Sequence, residues 1–256
     1  MENDLIDIKK AEYLFGLLGR QISYSFSKGY FNEKFKKNAL KGYYYTNFDL
    51  DIIDDLPPLL DSLPNLKGFN VTIPYKEKVM PFLDEIDEEA LAIGAVNTVK
   101  FLEGNKLKGF NTDVYGFEYS ILPFIKPMHK KALILGTGGA SKAVSYALDK
   151  LGIEHKYVSR EASRDNSIRY SELTKEIVND HFIVVNCSPV GTFPDINACP
   201  NFPYNFVTKN HLFFDLIYNP SETLFLKKAK FYGAQIKNGE EMLELQAEKA
   251  WEIWNY

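Results

Sequence analysis

Hydrophobic and polar residues alternate along the chain with two distinct periods. The stretches "YLFGLLG", "GYYYTNF", "ALIL", "FIVVNCS" and "LFFDLIY" are short and largely apolar, which is typical of strands. The stretches "SKGYFNEKFKKNAL" and "GEEMLELQAEKAWEIWNY" repeat apolar residues every three or four positions, as amphipathic helices do. Strands and helices therefore alternate, and we expect an α/β fold with mainly parallel sheets.

One segment departs from this rhythm. In "AVNTVKFLEGNKLKGFNTD" two alternating runs flank Glu103-Gly104-Asn105, which is the turn chemistry of a β-hairpin. With the turn centred on Gly104, Asn97 lies roughly opposite Asn111, and Asp113 follows the second strand. Asn97 and Asp113 are therefore predicted to be neighbours.

A strand with one polar face leads to an unusual lysine. In "GFNVTIPYK", residues 68–76, Asn70 and Thr72 alternate with apolar residues. Pro74 suits the first position of a helix, so we expect a short helix there with Lys76 in its first turn. A cation at that end opposes the helix dipole at a cost of about 0.3–1 kcal/mol. That cost without a structural gain favours a functional role for Lys76.

The composition excludes several classes of function. The 256 residues are 45% hydrophobic and suffice for one large or two modest domains. A net charge of -4 gives no broad basic surface, so we expect a small-molecule ligand and no nucleic acid. Cys187, Cys199 and the four histidines follow no metal-ligand spacing, so no metal is expected. An acidic start without an apolar leader, and the lack of an apolar run of ~18–20 residues, favour a cytoplasmic protein without a membrane partner.

A glycine-rich turn follows the apolar strand "ALIL". Gly136, Gly138 and Gly139 precede a predicted helix, and such a turn lets backbone N–H groups approach a pyrophosphate at the helix N-terminus. Ser141 stands where the dinucleotide-binding pattern has its third glycine. The alternative is a glycine-rich turn that binds no ligand.

The end of the next strand indicates which dinucleotide is bound. NAD-binding units usually have an acidic residue there, whereas this chain has Ser159 and Arg160. Arg160 and Arg164 are suited to pairing with a 2′-phosphate, which favours NADP(H). The alternative is a solvated surface turn in which Glu161 and Asp165 neutralise both arginines.

Six short motifs, "SYSFS", "NVTIPYK", "GAVNT", "NTD", "GTGGA" and "NCSPVG", occur in a recognisable order. In this combination the chain resembles the shikimate dehydrogenase family over nearly its whole length. The resemblance implies a two-domain α/β protein that uses NADPH to reduce 3-dehydroshikimate reversibly to shikimate. Residues 1–112, with the C-terminal helix 239–256 packed back on them, would form the substrate-binding domain. Residues 113–238 would form a Rossmann-like NADP-binding domain.

The resemblance also implies roles for individual residues. Lys76 and Asp113 match the catalytic pair of the family, which serves the oxygen that becomes a hydroxyl. The substrate-binding matches are Ser25 and Ser27, for the carboxylate, with Asn70, Thr72, Asn97, Tyr218 and Gln246. The cofactor-binding matches are Gly136, Gly138, Gly139, Ala140, Ser159, Arg160, Arg164 and Gly191.

Most of the substrate-binding residues also have a plain structural interpretation. One serine of the pair suffices as a helix cap. Asn70 and Thr72 also suit a solvent-facing strand edge, Gln246 suits an exposed helix position, and Tyr218 suits a packed core.

The chain departs from the family pattern at three places. Tyr24 replaces a common histidine before the serine pair, and Lys28 replaces a proline after it. Glu240 and Glu241 stand where the family tends to have glycine before the last helix. We expect this acidic pair to face water, because turned inward it would repel an anionic substrate near Gln246.

Two other functions stay open at this stage. A quinate dehydrogenase would act on the same ring with one more hydroxyl at the carboxylate-bearing carbon. A non-catalytic metabolite-binding protein could share the fold, but binding alone does not require a proton-transfer pair. The sequence does not distinguish a monomer from a homodimer.

Overall fold

The chain divides into two compact units. A computed structural model describes residues 8, 10–23, 25–161 and 166–256. The first unit extends to Thr112 and includes Ala247–Tyr256, and the second unit is Asp113–Gln246.

The first unit contains a mixed six-stranded sheet. Its strands are β1 Tyr13–Gly19, β2 Tyr43–Asp49, β3 Leu66–Val71, β4 Glu85–Ile86, β5 Thr98–Phe101 and β6 Leu107–Phe110, in the order β2-β1-β3-β5-β6-β4. Its α-helices are α1 Phe26–Lys37, α2 Leu56–Asp61 and α3 Glu88–Ile93. Strand β1 is parallel to β2 and β3, whereas β5 is antiparallel to β3 and β6. The predicted hairpin is the source of the antiparallel part.

The second unit contains a parallel sheet. Its strands are β7 Lys131–Leu135, β8 Glu154–Ser159, β9 Ser167–Arg169, β10 Ile183–Asn186, β11 Leu212–Asp215 and β12 Gln235–Lys237, in the order β12-β11-β10-β7-β8-β9. Its α-helices are α4 Asp113–Ile121, α5 Gly139–Lys150, α6 Lys175–Asp180 and α7 Leu224–Phe231. Helix α8, Glu240–Asn255, starts in this unit, and its residues from Ala247 onward belong to the first. The sheet has the strand order of a Rossmann fold, which confirms the predicted α/β class.

Short 3₁₀ helices occur in both units. They are Ile53–Asp55, Met80–Phe82, Glu103–Asn105, Leu122–Phe124, Tyr170–Glu172 and Tyr204–Phe206. No helix in the described part of the chain is both long and apolar enough to cross a membrane.

Aromatic side chains pack the C-terminal end of α8 against the sheet of the first unit. The Trp254 indole N–H donates to the carbonyl of Val99 over 3.0 Å. A Cβ on Gly68 would lie only 2.4 Å from the indole nitrogen, so a glycine is needed at this approach. The last turns of α8 are therefore fixed to β3 and β5 by packing and by one hydrogen bond.

The predicted helix at Pro74 is wrong. Residues 74–79 form turns, and a 3₁₀ helix follows only at Met80–Phe82. The Tyr75 N–H donates to the Thr72 carbonyl over 2.8 Å, and the Lys76 carbonyl accepts from Val96 N–H over 2.7 Å. Because the segment is bonded to the start of the hairpin instead of continuing as a helix, the dipole cost assigned to Lys76 does not apply.

Candidate functional site

Buried amides and hydroxyls cluster at the ends of β3 and β5 in the first unit. Asn70 is only 5% exposed, so its interpretation as a solvent-facing strand residue is wrong. Its Nδ2 donates to the Thr98 hydroxyl over 3.0 Å and to the Asn97 carbonyl over 3.3 Å. Thr72 is half-buried, and its N–H donates to the Leu18 carbonyl over 2.8 Å. Hydrogen bonds to the hairpin therefore hold Asn70 in place, and a hydrogen bond to β1 holds Thr72.

Asn97 fixes the end of the hairpin. The register Thr98 opposite Phe110 places Asn97 opposite Asn111, as predicted. The Thr112 N–H donates to Asn97 Oδ1 over 2.7 Å, and Asn97 Nδ2 donates to the Thr112 hydroxyl over 3.0 Å. Asn97 therefore positions the residue that directly precedes Asp113.

Lys76 and Asp113 are both connected to this cluster through the backbone. Lys76 is half-buried, and its carbonyl is bonded to Val96, the residue before Asn97. Asp113 is 6% exposed and begins α4, where a carboxylate is favoured by the helix dipole. The main chain of Lys76 is thus hydrogen-bonded next to Asn97, and that of Asp113 follows a residue bonded to Asn97.

The two serines have different environments. Ser25 is the N-cap of α1, and its hydroxyl accepts from Ser27 N–H over 3.3 Å, so the capping interpretation is confirmed for Ser25. Ser27 is 9% exposed, and the interaction of its side chain with Tyr45 lowers the pKa of the Tyr45 hydroxyl, against the larger effect of burial. The Tyr45 hydroxyl donates to Asn70 Oδ1 over 2.9 Å.

The glycine turn of the second unit leaves open space at the N-terminus of α5. Gly136 has φ +107°, and its N–H donates to the Val158 carbonyl over 2.9 Å. Apart from Gly138 itself and its two chain neighbours, no atom of the described chain lies within 4 Å of a Cβ added to Gly138, which is exposed and caps the 12-residue helix α5. Ser141 donates its hydroxyl to the Gly138 carbonyl over 2.6 Å, so the residue that replaces the third glycine stabilises the turn.

The end of β8 adjoins this turn, because Val158 accepts from Gly136. Ser159 is half-buried, and its hydroxyl donates to the Glu161 carbonyl. Arg160 is exposed. Arg164 lies outside the described residues, as does Tyr24.

A buried aspartate organises the loops after β10 and β11. Asp215 accepts from Asn186 Nδ2 over 3.0 Å and from the Thr223 hydroxyl over 2.6 Å. Asn186 Oδ1 accepts from the Ser188 hydroxyl over 2.7 Å. Burial raises the pKa of Asp215 to about 6, against the opposing effect of these hydrogen bonds. Gly191, in the loop after β10, has φ +100°, and a Cβ there would lie 2.9 Å from the Ala198 carbonyl.

Two further substrate-binding candidates lie in the second unit. Gln246 is 9% exposed, so its interpretation as an exposed helix residue is wrong. Its Nε2 donates to the Leu243 carbonyl over 2.8 Å. Tyr218 is half-buried, and the preceding Ile217 N–H donates to Asp215 Oδ1 over 3.1 Å. Its role as a substrate contact or a packing residue stays a prediction.

Comparison with known proteins identifies the family. The profile of the "Shikimate dehydrogenase substrate binding domain" matches residues 17–99. A "Shikimate dehydrogenase (NADP(+))" of Methanococcus maripaludis is 38% identical over 257 residues, which cover 94% of this chain and 91% of that protein. The chain belongs to the shikimate dehydrogenase family.

Solved structures of shikimate dehydrogenases and of a quinate dehydrogenase share its fold. Shikimate 5-dehydrogenase from Thermus thermophilus, in complex with NADP(H) and shikimate, has a TM-score of 0.83 and 31% identity, covering 94% of this chain and 93% of that chain. Quinate dehydrogenase from Corynebacterium glutamicum, in complex with NAD, has a TM-score of 0.84 and 28% identity over the same shares. The fold alone therefore does not choose between shikimate and quinate.

The departures from the shikimate dehydrogenase pattern at the start of α8 have a simple outcome. Glu240 is exposed, and Glu241 forms an ion pair of 2.5 Å with Lys237. Glu240 therefore faces water, as expected, and Lys237 offsets the charge of Glu241.

Sequence reasoning missed two polar residues of this chain. The run "GYYYTNF" contains three tyrosines, and only the fold shows that the Tyr45 hydroxyl is the buried one. A buried tyrosine hydroxyl needs a partner, which is the one signal that the strand pattern offered. Asp215 ends the apolar strand "LFFD", where a charged residue in a buried position was the available signal.

Proposed function

We infer that this chain catalyses the NADPH-dependent, reversible reduction of 3-dehydroshikimate to shikimate. A relative is named "Shikimate dehydrogenase (NADP(+))", and a solved structural neighbour is in complex with NADP(H) and shikimate. The observation that supports it best within the molecule is the buried polar cluster of the first unit. Asn97 is hydrogen-bonded to Thr112, and Thr98 connects Asn70 to Asn97. The carbonyl of Lys76 accepts from the N–H of Val96, the residue before Asn97.

The roles of the substrate-binding residues are proposals. Ser25 and Ser27 are proposed to bind the carboxylate, because hydroxyl donors suit an anionic acceptor. The amides of Asn70 and Asn97 and the hydroxyl of Thr72 are proposed to bind the ring hydroxyls of the substrate. Gln246 and Tyr218 complete the proposed set of substrate contacts.

The residues of the second unit fit NADP. The open, exposed Gly138, with Gly139 and Ala140 at the start of α5, leaves room for a pyrophosphate at a helix N-terminus. Ser159 occupies the position at which an NAD enzyme has its acid, and Arg160 follows it with an exposed guanidinium suited to a 2′-phosphate. Gly191 is proposed to contact the nicotinamide end through its main chain. When bound, NADPH supplies the hydride.

Lys76 and Asp113 are proposed to handle the proton. Reduction of a carbonyl places negative charge on its oxygen, and a lysine ammonium can stabilise that charge and deliver a proton. Asp113 is proposed to orient the ammonium and to share the proton. The hydrogen bond at Val96 holds the main chain of Lys76 next to Asn97, and Asp113 directly follows Thr112, whose N–H donates to Asn97, which supports a common role.

Quinate is the second candidate substrate, because a quinate dehydrogenase is a structural neighbour. Measurement of kcat/KM for shikimate and quinate, each with NADP⁺ and NAD⁺, decides between them. A site that hydrogen-bonds hydroxyls discriminates strongly between such rings. We expect shikimate with NADP⁺ to give the highest value. Preference for quinate would replace the proposed substrate, and no turnover with either would favour a metabolite-binding protein. Whether the chain is a monomer or a homodimer stays a prediction.

A further inference from the structure

The Tyr45 hydroxyl stands between two proposed substrate contacts. Tyr45 is fully buried, and its hydroxyl donates to Asn70 Oδ1 over 2.9 Å. Burial raises the pKa of Tyr45 far above its ordinary value, and the interaction with the Ser27 side chain opposes this only in part. The hydroxyl is therefore a neutral donor and acceptor throughout the working pH range.

The backbone and the ring of Tyr45 are each fixed by a neighbouring side chain of α1. The Asn32 side chain of α1 brackets its backbone, since Tyr45 N–H donates to Asn32 Oδ1 over 2.9 Å and Asn32 Nδ2 donates to the Tyr45 carbonyl over 2.8 Å. Phe31 stacks on the ring with centroids 4.6 Å apart and planes 12° from parallel. A side chain fixed this firmly transmits position to the groups bonded to its hydroxyl.

The hydrogen bonds run in one direction from Tyr45 to the hairpin. Tyr45 donates to Asn70, and Asn70 donates to Thr98. Thr98 then donates to Asn97 Oδ1 over 3.1 Å. Because the Ser27 side chain interacts with the Tyr45 hydroxyl, this chain connects the serine that is proposed to bind the carboxylate with the two amides that are proposed to bind the ring.

We propose that Tyr45 is a positioning residue that holds Ser27 and Asn70 in a fixed relation, so that the carboxylate and the ring hydroxyls of the substrate are bound as one unit. This rests on the proposed function. Tyr45 itself is not proposed to touch the reacting atoms. Its effect belongs to substrate binding, because the bonds it makes serve ground state and transition state alike.

Tyr45→Phe tests the proposal, since it keeps the ring that stacks on Phe31 and removes only the hydroxyl. We expect KM for shikimate to rise about five- to tenfold, the effect of one buried hydrogen bond, with kcat within about threefold of wild type and KM for NADP⁺ unchanged. Tyr43→Phe is the matched control, because Tyr43 lies on the same strand and stacks on Tyr13 instead. It should leave all three constants unchanged.

A double-mutant cycle separates positioning from general packing. If Ser27 acts through Tyr45, Ser27→Ala should raise KM for shikimate less in the Tyr45→Phe background than in the wild type. Full additivity of the two changes, or a wild-type KM for shikimate in Tyr45→Phe, would overturn the proposal. An inactive wild type would instead refute the proposed function, so the two failures are distinct.

A second cycle applies if Tyr45→Phe does not fold. Ser27→Ala and Asn70→Ala are combined, and the unfolding free energies are measured without any ligand. Because Tyr45 stands between the two side chains, non-additive losses are expected in this cycle. Additive losses would contradict the proposal.

Discussion

Arg160 is the residue on which the choice of dinucleotide is expected to depend. Its side chain is exposed at the end of β8, beside the glycine turn. We predict that Arg160→Ala raises KM for NADPH by about tenfold or more, since a charge-assisted bond to phosphate contributes about 1.5–3 kcal/mol. KM for NADH should scarcely change, because NADH lacks the 2′-phosphate. Equal losses with both cofactors would show that Arg160 serves the fold.

The serine pair should separate into two effects. Ser25→Ala removes the N-cap of α1, so in addition to raising KM for shikimate it is predicted to lower the free energy of unfolding by about 1 kcal/mol. Ser27→Ala leaves the cap in place and is predicted to act mainly on KM for shikimate. Thermal melts and steady-state kinetics of both variants check this. A Ser27→Ala variant with the wild-type KM for shikimate would remove Ser27 from the carboxylate site.

Helix α4 approaches α8 at a glycine. A Cβ on Gly116 would lie 2.5 Å from the Met242 carbonyl and 3.2 Å from the Gln246 Cβ. Gly116→Ala is therefore predicted to destabilise the protein by about 1–3 kcal/mol and to raise KM for shikimate through displacement of Gln246.

A glycine in α1 provides the matched control. Apart from its chain neighbours and the backbone of its own helix, no described atom lies within 4 Å of a Cβ on Gly29, so Gly29→Ala is predicted to stabilise its helix by about 0.5–1 kcal/mol. Denaturant unfolding of both variants measures the change in unfolding free energy, which should be negative for Gly116→Ala and positive for Gly29→Ala. Equal effects of the two substitutions would mean that the contact of α4 with α8 is not tight.

Local patterns predicted most elements, and long-range hydrogen bonds decided the exceptions. The hairpin was predictable because its strands and its turn at Gly104 are adjacent in sequence. The helix at Pro74 was wrong because the carbonyl of Lys76 bonds to Val96, twenty residues away, and no local signal reports that bond. Short elements such as β12 and α6 offered too few residues for a clear period.

The candidate residues were predictable as types, whereas their connections were not. The motifs singled out Ser27, Asn70 and Asn97, each of which has a buried side chain. Tyr45 and Asp215 were missed because a side chain's partners depend on which strands are neighbours in the sheet. Tyr45 reaches Asn70 across 25 positions of sequence, and Asp215 reaches Asn186 across 29.

The unfolding free energy of the protein should depend on pH through Asp215. Burial raises its pKa from 3.8 to about 6, so the folded protein holds an extra proton between about pH 4 and 6. Its contribution to stability is full below the unfolded value and falls by up to about 3 kcal/mol as the pH rises through 6. Cys187 and Tyr204, whose pKa values burial raises, stay neutral in this range.

Asp215→Asn should remove this slope. The lost hydrogen bonds will lower the unfolding free energy of the variant at every pH. The comparison therefore takes the difference in unfolding free energy between wild type and variant at pH 4 and at pH 7, and asks whether that difference changes. Asp180→Asn is the control, because the hydrogen bond from Lys131 lowers the pKa of Asp180 and gives a slope of the opposite sign. A difference between Asp215→Asn and wild type that stays constant with pH would contradict the account.

We predict that the activity of the whole molecule depends on Lys76. Methionine keeps the apolar stem and removes the ammonium, so Lys76→Met tests charge and proton delivery with little change in packing. Lys78→Met is the matched control, because Lys78 is exposed two residues later in the same turn segment. No gain in stability is expected from Lys76→Met, since no α-helix begins there.

The most direct measurement follows the oxidation of NADPH by 3-dehydroshikimate in the wild type, Lys76→Met and Lys78→Met, saturated with both ligands and under conditions where chemistry limits kcat. The account predicts turnover by the wild type and by Lys78→Met. It predicts a fall of about 10²–10⁴ in kcat for Lys76→Met, with NADPH affinity retained. A folded Lys76→Met variant that turned over near the wild-type rate would contradict the proton-transfer role, and a wild type that left NADPH unoxidised would contradict the proposed function.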